Sequence, residues 1–331
     1  MAELNRTRRV GILELLTESG LTQGKIGTYE ISFIIAPRLN AAGRLEHAFD
    51  ALRLLCTTNR VRAAELASKL GLTNRERQQL TVDTTLHARE LVRQEGITKS
   101  KKLIFIAHQS YNQGIIGLVA GRLTEEYYLP SVVVAKGSQN SKASARSIVG
   151  FNIVEAIRSC SEMLLEVGGH PMAAGFSIRT EDLPRLKKRL EKLAASTISP
   201  DMLVKVLSVD MALPLAYIDM KLWEALRILE PFGFGNPEPI FVTQGLLADE
   251  FRSVGSENKH LKLKVRSPEN GIVMEAIAFG MGSVYKDLKL SKPLDIAYTI
   301  DMNEWNGNQI LQLKIKDIHL KYEPASLIHK I

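Results

Sequence analysis

Cysteine is scarce in this 331-residue chain: Cys56 and Cys160 are the only two, far apart and each in an apolar helical context. That count argues against a disulfide framework and a cysteine-built zinc site, and fits a reducing compartment. Long apolar runs are lacking too. Nowhere do about 18 apolar residues follow one another, and Met1 to Val10 carries Arg6, Arg8 and Arg9 instead of the apolar stretch of a signal peptide. A soluble, cytoplasmic protein with no membrane partner is expected. Clustered carboxylates are the third absence. No two aspartates are separated by one residue, none precedes a pair of histidines, and the seven histidines, His47 to His329, are scattered. Phosphodiester hydrolysis by two metal ions needs carboxylates gathered around ions about 4 Å apart. We therefore assign no catalytic residue and no metal ligand to this chain.

What is present describes a globular protein. The apolar fraction of 45% and charged fraction of 24% are ordinary, and the length predicts two or three compact units. The net charge of +7 favours a polyanionic partner, because cations that neutralise phosphates release counterions; a merely basic surface is the alternative.

Along the chain, Gly11 to Ser19 reads as a short helix and Tyr29 to Ile35 as a strand running into Pro37. Helices follow over Ala48–Leu55 and Ala64–Leu70, the second stopped by Gly71. Thr73 and Glu76 form a capping box that opens a long, polar connector helix reaching Gln94. Leu103–Ile106, the helical spacing of Ile115, Leu118, Val119 and Leu123, and Val132–Ala135 make a βαβ unit. A helix from Asn152, a Gly-Gly turn, a strand at Phe176–Ile178 and a helix with Leu183, Leu186, Leu190 and Leu193 complete an α/β domain. After Pro200 the pattern turns to strands. His260 to Arg266 alternates strictly, with Leu261, Leu263 and Val265 on one face and His260, Lys262, Lys264 and Arg266 on the other. About five strands with basic outer side chains suit an OB-type barrel.

Three segments carry candidate chemistry. "APRLNAAGR" sets Arg38, Asn40 and Arg44 among small residues, where the arginines can grip phosphates or, in a tight turn, pair with acids. In "SARSIVGF" an extended backbone puts Ser144 and Arg146 on one side, a hydroxyl and a guanidinium able to share one anion; a plain strand edge has the same pattern. In "VGGHPMAAGF", Gly168 and Gly169 can turn successive N–H groups toward a phosphate with His170 beside them, or form a bland turn.

Together and in this order, "PRLNAAGR", "SARSIVGF" and "GGH" resemble RecJ of the DHH phosphoesterase family. "LEPFGFGNPEPIF", "VGSENKHLKL" and "NEWNGNQILQLKIKDI" resemble the OB domain of the same family. The resemblance implies α/β plus all-β architecture: the end of a catalytic-domain region with a helical connector over 1–85, a DHH-associated α/β domain over 86–200, and an OB-like nucleic-acid-binding domain over 201–331. It implies that Ser144, Arg146, Gly168, Gly169 and His170 shape a pocket for a 5′ or scissile phosphate. Arg38, Asn40 and Arg44, with Lys262, Lys264 and Arg266 of the barrel, would contact single-stranded DNA. One departure stands out: the family's Trp-His pair before "QGVIG" is Tyr111-Asn112 before "QGIIG" here, so the role of that histidine is not carried over.

The family's metal-binding aspartates belong to a domain preceding this segment. The implied function is a part of a 5′→3′ single-stranded-DNA exonuclease of recombination and repair, supplying DNA grip and end recognition. Manganese or magnesium would be the cofactor of the complete enzyme and none would be bound by this chain, which is expected to be inactive without a catalytic DHH domain as partner. The sequence reads as a truncated piece, a fragmentary reading frame or one half of a split enzyme. Two other readings are a non-catalytic single-strand-binding or scaffold module, and a DHH-type phosphodiesterase of nano-RNA or cyclic dinucleotides, against which the barrel counts.

Overall fold

Apolar side chains recurring every three or four residues make the chain largely helical as far as Gln94. The computed structural model describes residues 1–96, 101–305 and 308–321, in two units, Met1–Lys205 and a second beginning at Val206. In the first unit α1 (Ala2–Asn5) and α2 (Val10–Glu18) lead to a π-helical turn, Glu30–Ile35, that runs into α3 (Ala36–Leu45). α4 (Phe49–Cys56) and α5 (Arg60–Gln94) follow. Leu15, Leu16, Ile35, Ala42, Leu54, Leu66 and Leu70 close together as the core of this region.

Two expectations are corrected here. Tyr29–Ile35 is helical, not a strand: Ile31 and Ile35, four residues apart, both reach the helical core, while Tyr29 and Phe33 stack at 5.0 Å on the exposed side. Pro37 lies at the second position of α3, in helical backbone continuous with the π-helical turn before it, so it does not end a strand. Likewise "APRLNAAGR" is helix, not a tight turn. Gly71 and the supposed capping box lie inside α5, one uninterrupted helix of 35 residues, about 52 Å long at 1.5 Å per residue. Its true cap is Asn59, whose Oδ1 accepts from the Arg62 N–H at 3.0 Å. Gly71 makes room for a carboxylate: a Cβ there would stand 1.9 Å from Glu18 Oε1 and displace the acid shared by Arg38 and Arg75 at 2.7 and 3.1 Å.

The second part of the same unit is a five-stranded sheet in the order β1-β2-β3-β5-β4. β1 (Ile104–His108) pairs in parallel with β2 (Ser131–Ala135) across α6 (Ile116–Tyr127), the expected βαβ unit. β3 (Asn140–Arg146), α7 (Ile153–Arg158), β4 (Leu164–His170), β5 (Ala173–Arg179) and α8 (Leu183–Thr197) complete it, the added strands all antiparallel. Period-two alternation separates the faces. Phe105, Val132, Val134 and Phe176 pack with α7 and α8, whereas Ile104, Ile106 and Val133 pack with α6 and with Ala88 and Val92 of α5. Gly168, Gly169 and His170 are therefore the end of strand β4, not a Gly-Gly turn; the reversal falls on Pro171 and Met172, whose carbonyls accept from Ile153 and Ser147.

In the second unit a two-residue strand β6 (Met211–Ala212) and α9 (Met220–Arg227) precede β7 (Phe241–Val254), β8 (His260–Arg266), β9 (Val273–Ala278), β10 (Pro293–Trp305) and β11 (Asn308–Leu320). β7, β8 and β9 meander; β9 meets β11 in parallel, β11 meets β10, and β10 returns to β7. That closure is the five-stranded OB barrel. Leu261, Leu263 and Val265 fill it, as the alternation predicts. Tyr298 is fully buried with its hydroxyl 2.8 Å from Thr243 Oγ1, and burial pushes that hydroxyl up to about 12.

Candidate nucleic-acid interface

Ser144 and Arg146 project from the same side of β3, as strand alternation requires, and Arg146 Nη1 donates to Ser144 Oγ at 3.2 Å and to the Ala145 carbonyl at 2.8 Å. They stand over the start of α6. A Cβ on Gly117 would come within 3.0 Å of Ser144 Oγ and 3.1 Å of Arg146 Nη2, and one on Gly114 within 1.8 Å of the Arg44 carbonyl, so two glycines let β3 and the end of α3 close in. Arg44 Nη1 donates to the Gly114 carbonyl at 3.3 Å. The result is a cleft of ≈ 580 Å³ lined by Arg44, Lys142, Ser144, Arg146, Glu166 and Gly168, with Gln113, Gly114, Ile116, Gly117 and the bare backbone of Gly175.

The electrostatics are those of an anion site. Lys142, Arg44 and Arg146 against Glu166 leave the lining at three cations to one anion. Among the described residues neither Arg44 nor Arg146 has a carboxylate partner. Burial, and then the charge of Arg44, hold the Arg146 guanidinium below its ordinary range. At the start of α6 the N–H groups of Leu118 and Val119 both donate to the Ile115 carbonyl, at 2.8 and 3.1 Å, so only the earliest amides of that helix end are open to an anion.

The sequence-predicted residues divide accordingly. Ser144, Arg146, Gly168 and Arg44 meet in the cleft. Gly169 and His170 continue along β4 beyond it; Gly169 has φ +145°, and a Cβ would lie 2.3 Å from the Ala173 carbonyl oxygen, so this position serves the β4–β5 pairing. Arg38 is engaged within the protein, by Glu18 at 2.7 Å and by the Ile34 carbonyl at 2.9 Å. Asn40 is exposed one helical turn before Arg44, on the same face of α3. Gly117, Gly175 and Lys142 escaped sequence reading, since only the fold brings "QGIIG" against "SARSIVGF". Asn112 takes a local part, its Oδ1 accepting from the Gly114 N–H at 2.7 Å, and Tyr111 is buried with its hydroxyl 3.0 Å from His87 Nδ1.

The basic face of the barrel carries its acids with it. Lys262, Lys264 and Arg266 do point outward, but each meets an acid on a neighbouring strand: Glu275 at 2.9 Å, Glu250 at 3.0 Å and Asp249 at 2.8 Å. Lys314 pairs with Asp301 in the same way. Four cations of the face are thus paired, whereas Arg252 of β7, exposed and opposite Lys262, has no acid partner among the described residues. The barrel also has an open aromatic feature: Phe279, just past β9, is 58% exposed and meets the His260 ring edge-on at 5.2 Å, while His260 Nδ1 accepts from the Gly280 N–H at 3.0 Å.

Comparison with known proteins gives these units their names. Residues 100–196 match the DHHA1 domain and residues 209–317 the RecJ OB domain. A DHHA1 domain followed by a RecJ OB domain is the domain pairing of the DHH family. Within it the chain belongs to the RecJ family. It is 33% identical over 319 residues to the single-stranded-DNA-specific exonuclease RecJ of Bacillus subtilis, an alignment covering 96% of this chain and 40% of that protein. With RecJ of Thermus thermophilus the identity is 34% over 306 residues, covering 92% and 42%. The crystal structure of RecJ from Thermus thermophilus in complex with Mn2+ superposes with a TM-score of 0.81 at 32% identity, covering 96% of this chain and 45% of that one. The chain thus spans less than half the length of these relatives.

Proposed function

We propose that this chain forms the strand-gripping and end-recognising part of a 5′→3′ single-stranded-DNA exonuclease of recombination and repair. The observation that carries the reading is the cleft in which Arg44, Ser144, Arg146 and Gly168 converge with no carboxylate on either guanidinium. A terminal phosphate, with more charge than an internal one, gains most from such a site. The OB barrel would hold the rest of the strand, with Phe279 and His260 offering a stacking surface to an unpaired base. Asn40, Gly169 and His170 stay in this proposal as flanking contacts. Lys262, Lys264 and Arg266 contribute only as far as a phosphate can draw them from their acids.

Metal ions enter through the relatives, one of which was crystallised with Mn2+. The residues described here do not fit a two-ion centre: among them no three of His, Cys, Asp and Glu gather to hold a metal. Manganese or magnesium is therefore proposed for a catalytic DHH domain working with this chain, on the same or a separate polypeptide.

Competition titration of 5′-phosphorylated against 5′-hydroxyl single strands of one sequence tests the end recognition; the phosphorylated strand should bind more tightly, and equal affinity overturns the assignment. A nuclease assay tests the division of labour. The purified chain should not degrade single strands with manganese or magnesium, and an added DHH domain should confer cleavage. Degradation by the chain alone, lost on changing one of its own carboxylates, would locate the active site here.

A further inference from the structure

α5 carries six arginines, and five of them are matched to acids: Arg60 to Glu14, Arg62 to Glu65, Arg75 to Glu18, Arg89 to Glu126 and Arg93 to Glu90. Arg77 is the exception. It is half-buried, and its Nε and Nη2 both reach Asn74 Oδ1, at 3.3 and 2.9 Å. Asn74 is itself only 3% exposed, so the guanidinium is aimed by a side chain fixed inside the protein. The remaining N–H groups of the fork are unused by any carboxylate among the described residues. The surrounding charge is of the same sign. Burial first, and then the charges of Arg44 and Arg122, hold Arg77 below its ordinary range. Arg44 acts in the same way on Arg146 and is the common neighbour of both. Arg122, on α6, is exposed and likewise has no acid partner among the described residues.

A desolvated cation repelled by two others and neutralised by none is unfavourable to folding unless an anion joins it. We propose that Arg77, oriented by Asn74 and assisted by Arg122, forms a second anion subsite beside the cleft, which takes an internal phosphodiester of the strand whose terminal phosphate lies at Arg44, Ser144 and Arg146. The inference rests on the reading of the cleft given above, and adds that the strand leaves it across α5 and α6. Asn74 is a positioning residue.

The test is a salt titration of the whole chain with two probes: thymidine 5′-monophosphate, which has one phosphate, and a 5′-phosphorylated oligothymidylate. Arg77→Gln should weaken the oligonucleotide about tenfold or more and flatten its log–log salt slope by about 0.7, the loss of one phosphate, while leaving the mononucleotide within about twofold. Arg122→Ala, at an exposed side chain that cannot disturb the fold, should flatten the same slope. Arg146→Ala should weaken both probes. If neither Arg77→Gln nor Arg122→Ala alters the slope while Arg146→Ala weakens both probes, the subsite is wrong and the cleft stands. If Arg146→Ala has no effect but Arg77→Gln flattens the slope, the cleft reading fails and the anion subsite stands. Equal losses on both probes in Arg77→Gln would mean that Arg77 acts on the cleft itself, which also overturns the subsite.

Discussion

The cleft beneath β3 and the outer face of the barrel are both rich in cations, yet they differ in what surrounds those cations. Arg44 and Arg146 have carbonyls and a hydroxyl as partners and no acid. Lys262, Lys264 and Arg266 each have an acid within 3.0 Å. Net charge counts the two regions alike, whereas a phosphate does not. In the cleft it meets the partly desolvated guanidinium of Arg146 beside the exposed one of Arg44, and on the barrel it must compete with carboxylates that stabilise the surface by only about 0–1 kcal/mol per pair. Asp249 illustrates the second case, since its hydrogen bond, and then its charge, raise Arg266 above the ordinary range.

The largest expected effect that sharpens the contrast is in the cleft. Arg146→Ala should reduce the preference for a 5′-phosphate by about 1.5 to 3 kcal/mol, the range for a charge-assisted hydrogen bond, in competition titrations. A clear preference that survives the change would remove Arg146 from the site. Next comes the aromatic end of the barrel. Phe279→Ala should cost about 1 to 3 kcal/mol on a normal single strand and much less on an abasic strand of equal length; equal losses on the two strands would rule out stacking. The smallest effect belongs to the paired lysines. Lys262→Ala with Lys264→Ala should change stability by less than about 1 kcal/mol in urea unfolding, and flatten the salt slope by less than about 0.7. A fall of about one to two units in that slope would show that the ion pairs open for DNA, and would erase the distinction.

Much of this was legible in the sequence, because the period of the apolar residues reports directly on the element. The βαβ unit, the alternation of His260–Arg266 and the placement of Ser144 beside Arg146 follow from local pattern alone. What escaped depends on partners distant in the chain. Gly71 looked like a stop because glycine ends helices, and only the Glu18 carboxylate, far earlier in the chain, explains it. The β-branched stretch before Pro37 looked like a strand until the helical core claimed Ile31 and Ile35. The basic stripe looked bare because its acids, Glu250 and Glu275, stand on two other strands. Arg38 and Arg44 are indistinguishable by type, but one turns toward Glu18 and the other toward Gly114.

The continuity of α5 bears on how the first unit folds. Its N-terminal half supplies Ala63, Leu66 and Leu70 to the helical core and its C-terminal half supplies Ala88 and Val92 to the sheet. Because a helix propagates more readily than it nucleates, ordering either half favours the other. The two cores therefore share one cooperative foldon, even though the polar pattern of the sequence suggests a boundary within the helix near residue 85. Severing the chain at that line would leave each core short of one wall. In hydrogen exchange, amides on both sides of residue 85 should open together, with the middle of α5 as slow as its packed ends.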